Sequence, residues 1–393
     1  MEGRRGEPGH VLVAPDKFKG SLTALKVAAG ITAGLHSVLP GVKVVQLPVA
    51  DGGDGTVDAA VAAGFKRVSV RATGPTGNPV HTSYARRGDL AVIELASICG
   101  LQRLPYGRKD PLRAGTFGLG DVVRAAAARG CRRVVLGIGG SASTDGGAGF
   151  LQALGARVLD ARGSWVPRGG AALVGARSLD LTPLATALRG VSFVVASDVS
   201  NPLCGPNGAA AVYGPQKGAS ADDAALLDDA LENWASLVAS VTGADHRANP
   251  GAGAAGGVGF AALAAVGAQL RPGIEIVLEL VGFADKLSGC RLVITGEGSL
   301  DEQTLAGKAP AGVAAATRSY QIPTVAVAGH NTLPLAALQR AGISQAYSLT
   351  DIEPDLARCI AEAGSLVERT AADVARDWLV DQPRAASMGH TPE

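Results

Sequence analysis

Short apolar runs recur along the chain, and each ends in glycine or a polar residue. HVLVAPD (10–16), KVVQLPVADGGDGT (43–56), RRVVLGIGG (132–140), SFVVASD (192–198), RLVITGEG (291–298) and TVAVAGH (324–330) share this form. Near-continuous apolar strands suit a parallel sheet covered on both faces. Most are followed by helical patterns, which predicts an α/β fold. The first such helix is expected over 21–38, with Ser21 as its N-cap. The character changes between residues 67 and 96. There RVSVRATG, VHTSYAR and LAVIELA are separated by turn signals with no helix, which predicts antiparallel strands. The expected architecture is a discontinuous Rossmann-like domain with a parallel sheet, from residues 1–70 plus 287–381. An inserted mixed α/β domain is expected over 71–286, and a disordered tail over 382–393. The sheet that takes RRVVLGIGG is left open.

Composition narrows the picture. A chain of 393 residues is long for one compact domain, which agrees with two. Its net charge is +1, with no long run of either sign, so it carries no electrostatic footprint for nucleic acid or an acidic membrane. The five cysteines (99, 131, 204, 290, 359) are dispersed and form no C-x-x-C, so reduced thiols in a cytoplasmic protein are expected. MEGRRGEPG lacks the apolar segment of a secretory signal. Residues 248–270 have no charge over the length of a membrane span once Arg247 is passed. Their glycines, Asn249, Pro250 and Gln269 favour a turn, PGAGAAGG (250–257), feeding a buried Ala-rich helix.

The candidate chemistry lies at the strand ends, where open α/β sheets gather ligands. They offer Asp16, Lys17 and Lys19; Asp51, Gly52, Gly53 and Asp54; Asp198 and Asn201; and Glu297, Asp301 and Lys308. The stretch LGIGGSASTDGGAGF (136–150) holds six glycines around a single carboxylate, Asp145, and adds Gly139, Gly140, Ser141, Ser143, Thr144, Gly146 and Gly147. Glycine-rich turns offer N–H groups to phosphates, carboxylates hold Mg²⁺, and lysines neutralise phosphoryl charge. This inventory suits phosphoryl transfer. Each residue also has a plainer reading: an aspartate beside glycine closes turns, and Lys308 alone is a solvated helix residue. Two alternatives stay open on residues alone. Gly137, Gly139 and Ala142 fit G-x-G-x-x-A, so a nicotinamide-dependent hydroxy-acid oxidoreductase is one. That fingerprint needs a helix from about Gly139, whereas the pattern starts one near Gly147. A non-catalytic anion-binding sensor is the other. Walker A, G-x-S-x-G and zinc-ligand patterns are absent.

APDKFKGSLTA, PVADGGDGT, GIGGSASTDGGAG, SDVSNPL, GPQKGA, PGAGAAGG and ITGEGSLDEQT occur in an order that resembles the bacterial class I glycerate kinases. The resemblance runs from about Val11 to Gly329 and more weakly to about residue 380. It implies a two-domain enzyme that phosphorylates D-glycerate with ATP at a site between its domains, mostly giving 2-phosphoglycerate. Five positions depart from the familiar motifs: Lys17 for a small hydroxyl residue, Asp54 for Glu, Ser143 and Thr144 in SASTDGG for SATNDGG, and Ser299 for Arg. The role expectations are physical ones. Asp198, Lys308 and Lys19 are assigned to catalysis. Gly139, Gly140, Ser141, Asp145, Gly146 and Gly147 are assigned to ATP. Asp16, Lys17, Asp51, Gly52, Gly53 and Asn201 are assigned to the substrate, and Glu297 and Asp301 to Mg²⁺. The expected partner is a small molecule, with neither nucleic acid nor membrane, and a homodimer is carried as the candidate assembly.

Overall fold

The computed structural model describes residues 9–305 and 307–380; the expected disordered tail over 382–393 lies outside them. The strands, in chain order, are β1 (His10–Pro15), β2 (Val44–Gln46), β3 (Lys66–Thr73), β4 (Pro79–Arg87), β5 (Leu90–Glu94), β6 (Arg133–Gly137), β7 (Arg157–Leu159), β8 (Ser178–Asp180), β9 (Ser192–Ala196), β10 (Gln269–Arg271), β11 (Cys290–Leu300), β12 (Thr324–Asn331) and β13 (Gln345–Ser348). They sort into two compact units. Unit 1 takes the chain up to Val49 and again from Gly282, and unit 2 is Ala50–Val281. The division falls earlier than residue 70 because β3 pairs with β4, and because the helix Thr56–Ala62 packs its Val57 and Ala60 with Val92 and Ile276 of unit 2.

Unit 1 is a five-stranded sheet in the order β13-β12-β11-β1-β2, with every pairing parallel. Counted within the unit, this is the doubly wound order 2-1-3-4-5, whose switch point lies between β1 and β11. Val11, Val13, Leu292, Ile294 and Val325 are buried, as continuous apolar strands require. The helix Ala24–Val38 covers one face and meets Ala363–Ala375. Gly34 permits that approach: a Cβ there would lie 2.2 Å from the Glu368 carbonyl oxygen. The helix starts later than expected. Thr23 is the N-cap, accepting from Lys26 N–H at 3.3 Å, while the Ser21 hydroxyl donates to the Ile360 carbonyl.

Unit 2 holds a six-stranded sheet, β10-β9-β6-β5-β4-β3. Its β5, β6, β9 and β10 run parallel, and β3-β4-β5 are antiparallel, as the helix-free stretch predicted. RRVVLGIGG is β6 of this sheet. A small β7-β8 ribbon pairs beside it in sequence. The uncharged stretch forms the buried helix Ala254–Val266, entered through left-handed Ala255, Gly256 and Gly257. No helix among the described residues is long and apolar enough to cross a membrane.

Candidate active site

In unit 1 the functional side chains cluster at the switch point. β1 ends in Asp16, whose N–H donates to the Gly296 carbonyl of β11 at 2.8 Å. Asp16 is buried, and its Oδ1 accepts Lys17 N–H at 2.6 Å with the Lys17 ammonium at 3.5 Å. Lys19 follows on an exposed turn. β11 can lie this close to the turn after β1 because Gly298 has no side chain, a Cβ there being 3.2 Å from Lys19 N; Gly296 serves the β12 side, where a Cβ would be 2.1 Å from the Val327 carbonyl oxygen. Glu297, the next residue of β11, is 8% exposed. Burial pushes its carboxyl up to about 7. The Thr304 hydroxyl bond and Lys308 oppose the rise, while Asp16 and Asp301 add to it. Thr304 donates to Glu297 Oε1 and accepts Asp301 N–H at 3.1 Å. Asp301 Oδ1 accepts Gln303 N–H at 2.9 Å and lies 3.9 Å from the Lys308 ammonium. Lys308 is the N-cap residue of Ala309–Arg318 and is not mid-helix.

In unit 2 the carboxyl ends of β5, β6 and β9 gather Glu94, the glycine-rich loop and Asp198. The loop Asp51–Gly55 packs there backbone to backbone. A Cβ on Gly52 would be 2.8 Å from Ala196 Cβ, one on Gly139 would be 2.9 Å from Gly53 Cα, and one on Gly273 would be 1.9 Å from the Asp51 carbonyl oxygen. Asp51 closes this turn by accepting Gly53 N–H at 3.1 Å. Asp198 is open to solvent along part of its side chain, yet surrounding protein presses on the carboxyl and raises it to about 6. The Gly273 N–H, donating to Oδ1 at 2.8 Å, opposes that rise, and Asp51 and Glu275 add to it. Asn201 is committed to the protein: its amide donates to the Asn207 carbonyl and accepts from Tyr213.

The loop after β6 divides in two. Gly139 and Gly140 are exposed, and Ser141 shares a 2.8 Å hydroxyl contact with Ser143. Asp145 is different. It is 1% exposed, and its oxygens accept Thr116 N–H and hydroxyl, each at 2.8 Å, Gly149 N–H at 3.2 Å and Gly147 N–H at 3.3 Å. Gly146 and Gly147 have φ of 59° and 70°, and a Cβ on either would meet Trp234 or Ala261 at 2.4–2.5 Å. Asp145, Gly146 and Gly147, expected to meet ATP, build the loop from inside, because the buried carboxylate needs internal donors. The following helix, Ala148–Ala153, starts too late for the dinucleotide fingerprint.

The sequence profile of the Glycerate kinase family matches residues 11–379. A glycerate kinase of Bacillus subtilis (strain 168) is 44% identical over 368 residues, covering 93% of this chain and 96% of the relative. The chain belongs to the glycerate kinase family. A glycerate 2-kinase of Escherichia coli (strain K12) is 41% identical over 343 residues, 86% of this chain and 90% of its own. A crystal structure from Salmonella typhimurium LT2, provisionally named glycerate kinase 2, superposes with a TM-score of 0.81 at 40% identity, covering 94% of this chain and 98% of that one.

Three residues of this family member escaped the sequence reading. Glu94 ends β5 at 4% exposure and accepts Gly55 and Val57 N–H groups at 2.9 and 3.3 Å; burial raises it to about 7. Its signal was an acid closing the apolar run LAVIELA. Thr304 closes the motif ITGEGSLDEQT, but nothing in that motif marks its hydroxyl as the partner of Glu297. Lys217 lay within the quoted GPQKGA, and only the fold shows that it is buried.

Proposed function

We propose that this glycerate kinase family member transfers the γ-phosphoryl group of ATP to the C2 hydroxyl of D-glycerate, giving 2-phosphoglycerate and ADP. The observation that carries the reading is the carboxylate and lysine set at the unit 1 switch point, in a chain that matches the family over nearly its whole length. The exposed Gly139–Gly140 backbone and Ser141 would receive phosphate oxygens, while Lys19 and Lys308 offset phosphoryl charge. Among the described residues no three His, Cys, Asp or Glu side chains converge on a metal site. Mg²⁺ commonly arrives with nucleotide phosphates and takes one or two protein carboxylates, for which Glu297 and Asp301 are the candidates. Bound there, the ion would neutralise charge building on the phosphate oxygens.

Asp198 is the proposed base. Raised to about 6, it is ionised at neutral pH yet closer to the working pH than an ordinary aspartate. It takes the proton of the C2 hydroxyl, whose oxygen forms a bond to the γ-phosphorus. The bond from that phosphorus to the β–γ bridging oxygen breaks, and ADP leaves with the electron pair. The C3 hydroxyl is less hindered, so selection of C2 requires the carboxylate of glycerate to be held. Lys17, beside Asp16, is the proposed clamp.

The test follows the reaction by ³¹P NMR and by a coupled assay. With Mg-ATP and D-glycerate, enolase and pyruvate kinase should yield pyruvate without phosphoglycerate mutase. A signal that waits for the mutase means the 3-phosphate. Nucleotide binding with no ester formed would favour a sensor.

A further inference from the structure

Lys217 sits on the short turn Pro215–Lys217 and is 2% exposed. Its ammonium donates to the Ser143 carbonyl at 2.5 Å and to the Thr144 hydroxyl at 3.4 Å. Burial lowers its pKa to about 8, and the Asp145 charge pulls the other way. The Asp145 oxygens are occupied by Thr116, Gly147 and Gly149, so Lys217 has no carboxylate in ion-pair contact among the described residues. An ammonium placed this way costs stability, and a neutral donor could have satisfied the same carbonyl.

Two glycines close on this peptide and the next. A Cβ on Gly256 would lie 2.0 Å from the Ser143 carbonyl oxygen, and one on Gly170 would lie 2.2 Å from that of Thr144. Ser143 in turn fixes Ser141, through its N–H to Ser141 Oγ at 3.1 Å and the hydroxyl contact at 2.8 Å. Force applied at Ser143 is thus passed to the one hydroxyl beside exposed Gly139 and Gly140.

We propose that Lys217 is a positioning residue for nucleotide binding: its ammonium locks the Ser143–Thr144 peptide, so that Gly139–Ser141 is pre-shaped for the phosphate groups, and adds positive potential beneath them. The inference rests on the ATP reading above. It predicts that charge at 217 matters for nucleotide affinity more than for folding, the reverse of an ordinary core residue.

The test compares the full-length wild type with Lys217→Met and Lys217→Arg. Calorimetry measures Mg-ATP binding, and thermal unfolding measures stability. Lys217→Met should change thermal stability little, since the buried charge and its hydrogen bond are lost together, and weaken Mg-ATP on the order of tenfold or more, with Lys217→Arg recovering part of it. At saturating nucleotide its kcat should fall less than kcat/KM. A Lys217→Met protein that binds Mg-ATP like the wild type, or one whose only change is lost stability, overturns the inference. Should the variants not fold, amine-reactive labelling of the wild type decides. Saturating Mg-ATP should slow modification of Lys217 below its own rate without nucleotide while exposed Lys66 is unchanged, and a Lys217 rate that nucleotide does not alter overturns the inference. A wild type that binds no nucleotide overturns both this inference and the ATP reading, whereas binding that is indifferent to Lys217 overturns this one alone.

Discussion

At the scale of single residues, burial decides which carboxylates hold the fold together and which stay available. Asp145 satisfies four donors, so Asp145→Ala strands Thr116, Gly147 and Gly149 N–H groups inside unit 2. The expected cost is on the order of 3–5 kcal/mol, read from urea unfolding; a cost below about 1 kcal/mol would show that the loop relaxes around the loss. Glu94 is equally enclosed, and it is held near 7 where an ordinary glutamate sits at 4.5. A carboxyl raised on folding binds more protons in the native state. Its stabilising share is therefore complete below about 4.5 and is lost as pH climbs through about 7. Glu94→Gln keeps an acceptor for Gly55 and Val57 and removes the titration. Stability measured from pH 5 to 7.5 should fall less steeply in the variant. An identical slope would leave Glu297 and Asp198, raised to about 7 and about 6, as the groups responsible. Lys308 is a simpler case. It is part-exposed, so Lys308→Ala should leave the melting temperature nearly unchanged while turnover falls on the order of 10²-fold. Near-normal turnover removes it from the site.

At the scale of elements, glycine marks two different situations that look alike in sequence. Gly147 (φ 70°) begins the helix Ala148–Ala153 with Ala261 pressed against it, whereas Gly163 (φ 76°) turns in open space. Alanine at 163 pays for the left-handed backbone alone, about 1–2 kcal/mol. Alanine at 147 adds a collision 2.5 Å from the Ala261 Cβ and should cost clearly more. Denaturation midpoints of the two variants compare them directly, and equal losses would mean that Ala261 gives way freely. The parallel strands were legible because Val11–Ala14 and Leu292–Ile294 are apolar on both faces, a pattern that backbone burial alone imposes. The start of the first helix was not. Ser21 and Thr23 are both good caps, and the choice went to Thr23 because a bridge between Phe18 and Leu22 holds Ser21 in a turn.

At the scale of the whole molecule, unit 1 is assembled from both chain ends, and Ala24–Val38 depends on Ala363–Ala375 for its cover. Ending the chain after Glu362 should expose Val27, Ile31 and Leu35. Unit 1 amides should then lose hydrogen-exchange protection while those of β5 and β6 keep theirs; loss in both would mean that the units unfold as one. Local pattern was enough for the α/β class, for the antiparallel break before Glu94, and for placing Asp16, Asp198 and Glu297 after or late in apolar strands. These follow from local periodicity and from the rule that loops at strand ends hold chemistry. The chain's long motifs also determined the family resemblance. Long-range packing was needed to place β6 in the second sheet, the division at Val49, Asp145 facing inward and Lys217 beneath the glycine-rich loop. Each of these depends on contacts between residues tens to hundreds of positions apart. The bond from Lys217 to Ser143, or the approach of the Asp16 charge to Glu297, has no trace in local pattern, because a side chain's burial is set by what the rest of the chain packs against it.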